Sequence, residues 1–245
     1  MLSPITPIPI SDQPAGRLAG EAPPVLLVGG SFDPPHKGHV ELPAAARDAA
    51  LPAGTLVFVP ASRSPHKQVG PIASDADRCA MLEAASRDVA NTAVWTDEID
   101  RAAGGSASYW VDTLERARSV LGEAADLRFV LGADQALALH RWREPRRILS
   151  LARPVVLLRP PVAGEAQLTE GLAALGFWEP DELRRLVSAV VDVGTIDVSS
   201  TRIRECLRGR GASGTLDPAA HKKLGEMISP SVLDVIVARG LYRDP

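Results

Sequence analysis

Short apolar runs that alternate with longer segments of helical period constrain this chain more than any other feature. VLLVG (25–29), TLVFVP (55–60), AVWTDEI (93–99), LRFVLG (127–132) and PVVLLR (154–159) have the length and β-branched content of buried strands. Between them, HVELPAAARDAAL (39–51), SDADRCAMLEAASRDV (74–89) and SASYWVDTLERARSVLG (106–122) carry apolar residues at three- and four-residue steps, the mark of helices with one buried face. Ser74 is placed to cap the second of these, with acidic residues in its first turn. Pro43 suits the first only if it falls in the opening turn, because proline has no N–H to give a helix interior. Strands and helices in strict alternation need crossover connections, and crossovers make parallel sheets. The expected fold class is α/β, a doubly wound parallel sheet whose ligands sit beyond the carboxyl ends of the strands. A C-terminal helical segment follows: SPSVLDVIVARGLY (229–242) has Ser229 as cap, Pro230 just inside and Gly240 where a helix would stop.

Residues 1–24 hold Pro4, Pro7, Pro9, Pro14, Pro23 and Pro24, which bar helix, and are read as a Pro-rich extended arm. Residues 25–245 are then one domain, since 245 residues with 45% hydrophobic content suffice for a single large core. The formal charge of −3 gives no net cationic field, which argues against nucleic acid or an anionic membrane as a general partner. Cys79 and Cys206 stand far apart and outside any CxxC, so neither a disulfide framework nor a thiolate zinc site is indicated. No apolar run approaches the roughly 20 residues that span a bilayer, and the N-terminal stretch lacks the pattern of a secretory signal. The expectation is a cytoplasmic protein. A homo-oligomer, most often a dimer, is the general prior.

The stretch LVGGSFDPPHKGH (27–39) follows the first strand and delivers His36 and His39 three positions apart at the start of a helix. Glycines here let backbone approach a ligand closely, and a helix N-terminus offers unpaired N–H groups to phosphate. Two imidazoles on that turn add donors without a large fixed charge, which suits a polyphosphate whose charge grows as a bond to phosphorus breaks. A surface role for either histidine alone and a zinc site built from His36, His39 and His66 are the rival readings; no HExxH is present, and no metal ligands are assigned. GRGASG (209–214) spells GxGxxG but follows a helix rather than a strand, and no GxxxxGK[ST] occurs.

GGSFDPPHKGH resembles the GxFDPxHxGH signature of the HxGH nucleotidyltransferase superfamily. Further segments resemble one family within it, the bacterial nicotinate-nucleotide adenylyltransferases. VPASRSPHK (59–67) is similar to its P-x-x-x-P-P-H-K loop, DRCAMLEAA (77–85) to its R-x-x-M-L helix, and LRFVLGADQALALHRW (127–142) to its strand, G-x-D turn and downstream Trp. VSSTRIR (198–204) resembles its I-S-S-T-x-I-R motif, and the likeness runs in order from about residue 25 to 242.

The resemblance implies a Rossmann-like nucleotidyltransferase fold and adenylyl transfer from ATP to nicotinate mononucleotide, with Mg2+ accompanying ATP, in NAD biosynthesis. It places Gly30, Ser31, Phe32, His36, His39, Gly132, Asp134, Ser200, Thr201 and Arg204 around ATP. His36, His39 and Arg204 would carry the catalysis, with His39 nearest the α-phosphorus and Asp134 near ribose or adenine. A capped SST turn followed one turn later by an arginine fits the same anion on physical grounds. Lys67, beside Arg63 and His66, would hold the acceptor's phosphate, while Tyr109, Trp110 and Trp142 would surround its base and Trp142 would stack on the pyridine ring. One departure stands out: Trp110 replaces the threonine of the family's S-Y-T-x-D-T-L, near the nicotinate carboxylate, which leaves acid-versus-amide preference open. Nicotinamide mononucleotide or another phosphomonoester is the alternative acceptor, and a nucleotide-binding module without catalysis is the alternative class.

Overall fold

A computed structural model describes residues 23–62, 70–102, 108–162, 164–208 and 218–243. The arm expected over 1–24 therefore lies almost wholly outside the described residues, as do Arg63, His66 and Lys67.

Five strands, β1 (Val25–Gly30), β2 (Thr55–Pro60), β3 (Thr92–Val94), β4 (Leu127–Gly132) and β5 (Arg153–Leu157), form one sheet in the order β3-β2-β1-β4-β5. Every adjacent pair is parallel. The chain winds outward from β1 to β3, then crosses over to β4 and β5, so the order reverses between β1 and β4. That is the expected doubly wound topology, and the reversal opens a crevice at the carboxyl ends of those two strands.

Strand pleating divides the core. Val25 and Leu27 of β1, Val57 and Val59 of β2, and Leu127, Phe129 and Leu131 of β4 face one layer, while Leu26, Val28, Leu56 and Phe58 face the other. Because both faces are covered, the strands read as continuous apolar runs rather than alternating ones.

The helices follow in chain order. α1 (Lys37–Ala50) and α2 (Asp75–Ser86) succeed β1 and β2; α3 (Asp97–Ala102) and α4 (Trp110–Leu121) lie between β3 and β4; α5 (Ala133–Ala138) and α6 (Pro145–Leu151) lie between β4 and β5. After β5 come α7 (Glu165–Ala174), α8 (Pro180–Val187), α9 (Ser200–Arg208), α10 (Pro218–Met227) and α11 (Pro230–Ala238). Ser74 and Ser229 accept from the backbone N–H of Asp77 and Val232, as their capping roles require, and Gly240 takes φ 63 past the end of α11.

Two expectations are corrected. The run 93–99 is not one strand: β3 stops at Val94, and residues 97–102 are helical. Asp97, Glu98 and Asp100 occupy the first turn of α3, where the helix dipole favours carboxylates, and Asp97 is buried against Arg101 and Arg116. Pro43 lies in the second turn of α1, not the first, yet the helix continues to Ala50 with Pro43 buried. Burial of the α1 face overrides the lost hydrogen bond.

A second layer closes the C-terminal end. Ile203 and Leu207 of α9, Leu224 of α10, and Val232, Leu233 and Ile236 of α11 pack with Met81 and Ala84 of α2 and with Tyr242. This carries Tyr242 back to the loop after β1.

Candidate active site

A cleft of about 570 Å³ opens at the carboxyl ends of β1, β4 and β5, with Gly29, Gly30, His39, Trp110, Trp142 and Arg159 among its lining residues. Beyond Gly30 the chain must turn sharply. Phe32 takes φ 48, an uncommon left-handed conformation for an aromatic residue, while its side chain is 1% exposed and meets His39 and Phe58 edge-on at 5.3 and 5.8 Å. The turn returns the chain so that His36 caps α1 and His39 lies in its first turn, the His39 N–H donating to the His36 carbonyl at 2.8 Å.

Three-residue spacing at a helix start puts two side chains one above the other. The rings of His36 and His39 accordingly stack at 3.6 Å between centroids, 18° from parallel. Burial, and next the charge of Arg159, lower the His36 pKa to about 4, so this imidazole is neutral near pH 7. Its Nδ1 is buried with no hydrogen-bond partner.

The first turn of α9 shares this surface. A Cβ added to Gly38 would stand 3.2 Å from Val198 Cγ1 and 3.3 Å from His36 Cε1. Within the SST capping sequence it is Ser199 that caps, accepting from the Arg202 N–H at 3.3 Å. The Ser200 hydroxyl donates to the Pro34 carbonyl at 2.9 Å. Arg204, expected to face an anion, donates through Nη1 to the Asp33 carbonyl at 2.6 Å and through Nη2 to Thr201 Oγ1 at 3.2 Å. The structure thus brings Ser200, Thr201 and Arg204 to the imidazole turn, but as its braces.

Two buried charges behind the turn were also unforeseen. Asp33 accepts from the backbone N–H groups of Ile72 and Ala73 and from the Tyr242 hydroxyl. Arg78, fully buried, donates to the Ser31 carbonyl at 2.7 Å and to Asp75 Oδ1 at 2.6 Å. Arg78 stands in the DRCAML segment, which the likeness matched without assigning the residue a task.

At the end of β4, Gly132 leaves room for an ion pair. A Cβ there would lie 2.5 Å from Arg159 Nε and 2.6 Å from Asp134 Oδ1. Arg159 donates to both oxygens of Asp134, at 2.6 and 2.9 Å. Burial alone would raise the Asp134 carboxyl; the bonds from Arg159 and Gln135 outweigh it, and the net displacement is downward. Asp134, expected beside ribose or adenine, is here held by Arg159. The run PVVLLR contained the only sequence hint of Arg159, a cation ending a strand at the ligand side.

On the opposite wall, the Trp110 ring lies against the Gly29 backbone, where an added Cβ would meet its Cζ3 at 2.8 Å. Its Nε1 is buried without a partner. Tyr109, with the Arg143 guanidinium 4.7 Å over its ring, and Trp142 line the same cleft. Glu98 joins them: it is 5% exposed, accepts from Thr113 Oγ1 at 2.8 Å, and burial raises its pKa. Among the described residues, no group of three or more His, Cys, Asp or Glu could hold a metal ion, and no helix is long and apolar enough to cross a membrane.

Comparison with known proteins agrees with this architecture. The cytidylyltransferase-like family matches residues 27–206. The probable nicotinate-nucleotide adenylyltransferase of Stenotrophomonas maltophilia is 36% identical over 225 residues, 90% of this chain and 97% of that protein. Its counterpart in Chromobacterium violaceum is 33% identical, over 89% and 98% respectively. The solved structure of Plasmodium falciparum nicotinic acid mononucleotide adenylyltransferase complexed with NaAD superposes with a TM-score of 0.62 over 90% of this chain and 97% of that one. At 15% identity that superposition speaks for the fold.

Proposed function

The chain belongs to the cytidylyltransferase-like family and within it to the nicotinate-nucleotide adenylyltransferases, and from that premise we propose the reaction and the residues that serve it. The 5′-phosphate oxygen of nicotinate mononucleotide attacks the α-phosphorus of ATP. A new bond joins that oxygen to the phosphorus, the bond to the β-phosphate oxygen breaks, and nicotinate adenine dinucleotide and pyrophosphate leave. The product is a precursor in NAD biosynthesis.

No side-chain nucleophile is needed, so the protein aligns the reactants and stabilises charge. Holding two substrates in line contributes up to about 7–11 kcal/mol in favourable cases. The observation that carries the reading is the stacked His36–His39 pair on the first turn of α1, braced against the first turn of α9. His36, being neutral, offers the triphosphate a hydrogen bond rather than a fixed charge. His39 donates at the α-phosphoryl oxygens, where charge grows. Arg204 and the hydroxyls of Ser200 and Thr201 serve the β- and γ-phosphates once the guanidinium exchanges the Asp33 carbonyl for phosphate. Gly30, Ser31, Phe32 and Gly132 shape the ATP side, with Asp134 positioned by Arg159; Lys67, Tyr109, Trp110 and Trp142 form the acceptor side. Mg2+ enters as part of the substrate, MgATP, an ion that keeps waters and binds chiefly to phosphate oxygens. Residues 25–245 work as one nucleotidyltransferase domain.

One observation favours a second acceptor. Trp110 and the buried Glu98 carboxyl line the same cleft. An amide can donate to a carboxyl, whereas a nicotinate carboxylate beside it is disfavoured unless Glu98 is protonated, which suits nicotinamide mononucleotide. Pyrophosphate release, measured with MgATP and each mononucleotide in turn, decides. Nicotinate mononucleotide should support the faster release; release with neither would overturn the reading.

A further inference from the structure

We propose that Tyr242 is a positioning residue for adenylyl transfer, acting through Asp33 on the turn that carries the two imidazoles. The proposal rests on the reading above. Asp33 lies three residues before His36 and is 5% exposed. Groups from three distant segments converge on it. Its Oδ1 accepts from the Tyr242 hydroxyl at 2.7 Å and the Ala73 N–H at 3.1 Å, and its Oδ2 from the Ile72 N–H at 2.8 Å. Arg204 Nη1 stands 3.9 Å from Oδ2 while donating to the Asp33 backbone carbonyl at 2.6 Å. The next residue, Pro34, accepts from Ser200. Asp33 is therefore the fixed point to which both phosphate-facing turns are tied.

Tyr242 adds that hydrogen bond to a place in the C-terminal hydrophobic cluster. It is 7% exposed and holds φ 59, a left-handed conformation that a bulky residue keeps only where its surroundings impose it. Burial, then the Asp33 carboxylate, push its phenol far above the usual range, so it remains a donor wherever the protein is folded. Its hydroxyl also stands 3.9 Å from the Met81 sulfur, a weak acceptor. The contact spans 209 residues of sequence, and only the packing of α11 on α2 brings it about. Without the hydroxyl, the charge on Oδ1 would keep one backbone N–H at 3.1 Å. The carboxylate could then rotate toward Arg204, hold the guanidinium away from the phosphates it is proposed to serve, and loosen the DPPH turn relative to α9. Misplacement of this kind acts on the transition state more than on substrate affinity.

The test compares Tyr242→Phe with Val232→Ala in the full chain. Val232 is 1% exposed in the same terminal packing, so its truncation reports stability loss alone. Pyrophosphate release with MgATP and the preferred mononucleotide gives kcat and both KM values, and thermal unfolding gives Tm. Tyr242→Phe should lower kcat about tenfold or more, the worth of a charge-assisted hydrogen bond, with both KM values changed less than about threefold. Val232→Ala should lower Tm and leave kcat unchanged. Wild-type kcat in Tyr242→Phe, or an equal kcat loss in both variants, overturns the positioning role alone. A wild-type enzyme that releases no pyrophosphate with any mononucleotide overturns the underlying reading, and this inference with it.

Discussion

Replacing Gly29 with alanine probes the closest packing in the cleft. The added methyl would meet Trp110 Cζ3 at 2.8 Å, Cη2 at 3.1 Å and Cε3 at 3.3 Å, so the indole must recede by about 0.6 Å to reach ordinary contact. It cannot do so freely. Trp110 is the first residue of α4, which is anchored by buried Val111, Leu114 and Ala117, and its ring leans on Phe129 at 6.2 Å. Overpacking of this kind costs about 1–3 kcal/mol, and for a chain of this size each kcal/mol lowers Tm by roughly 2–4 °C. The backbone contributes nothing to that cost, since Gly29 does not occupy positive φ. The cycle is completed with Trp110→Thr, which removes the ring. In that background Gly29→Ala should become neutral or stabilising by about 0.4–1 kcal/mol, because alanine restricts the unfolded chain and strand backbone tolerates it. Urea unfolding of the four proteins measures the coupling, expected at about 1–4 kcal/mol, the difference between the two effects. An identical effect of Gly29→Ala in both backgrounds would refute the argument that the indole occupies this space.

Other measurements follow from the same geometry. His39→Ala should lower kcat by about 10²–10³ with little change in the KM for ATP, as expected for a donor whose bond strengthens in the transition state; a rise in KM alone would contradict it. Because burial depresses the His36 pKa from 6.5 to about 4, the unfolded chain binds its proton first as pH falls. The associated stability is full above about pH 6.5 and is lost by about pH 4, to a total of about 3 kcal/mol, and His36→Ala should flatten the urea-midpoint profile across that window. Arg159→Ala should cost less than about 1 kcal/mol in urea unfolding, since its pair with Asp134 is half exposed, yet should raise the His36 pKa by removing a nearby cation; NMR titration of the imidazole reads the latter.

Much of this was legible in the sequence, for identifiable reasons. Apolar runs such as VLLVG and LRFVLG have no alternative to burial on both faces, so the parallel sheet followed from them. Local spacing placed His36 and His39 on one helix turn, where their rings stack. Local pattern misled where burial outranked it: residues 97–99 joined α3 because the buried Asp97 finds two arginine partners, and Pro43 stayed within α1 because its face is covered. Trp110 was visible as a departure, but its closeness to Gly29 was not, since those residues meet only when α4 packs on β1.

What the sequence determined by itself was whatever depends on neighbours along the chain: strand and helix periods, caps, and a paired-imidazole turn at a helix start. Partners distant in sequence were settled by the packing of the layers. Asp33 with Tyr242, Arg204 with the Asp33 carbonyl, and Asp134 with Arg159 each join residues whose meeting depends on how the layers close. A charged or polar side chain has many chemically acceptable partners, and burial within one particular packing selects among them.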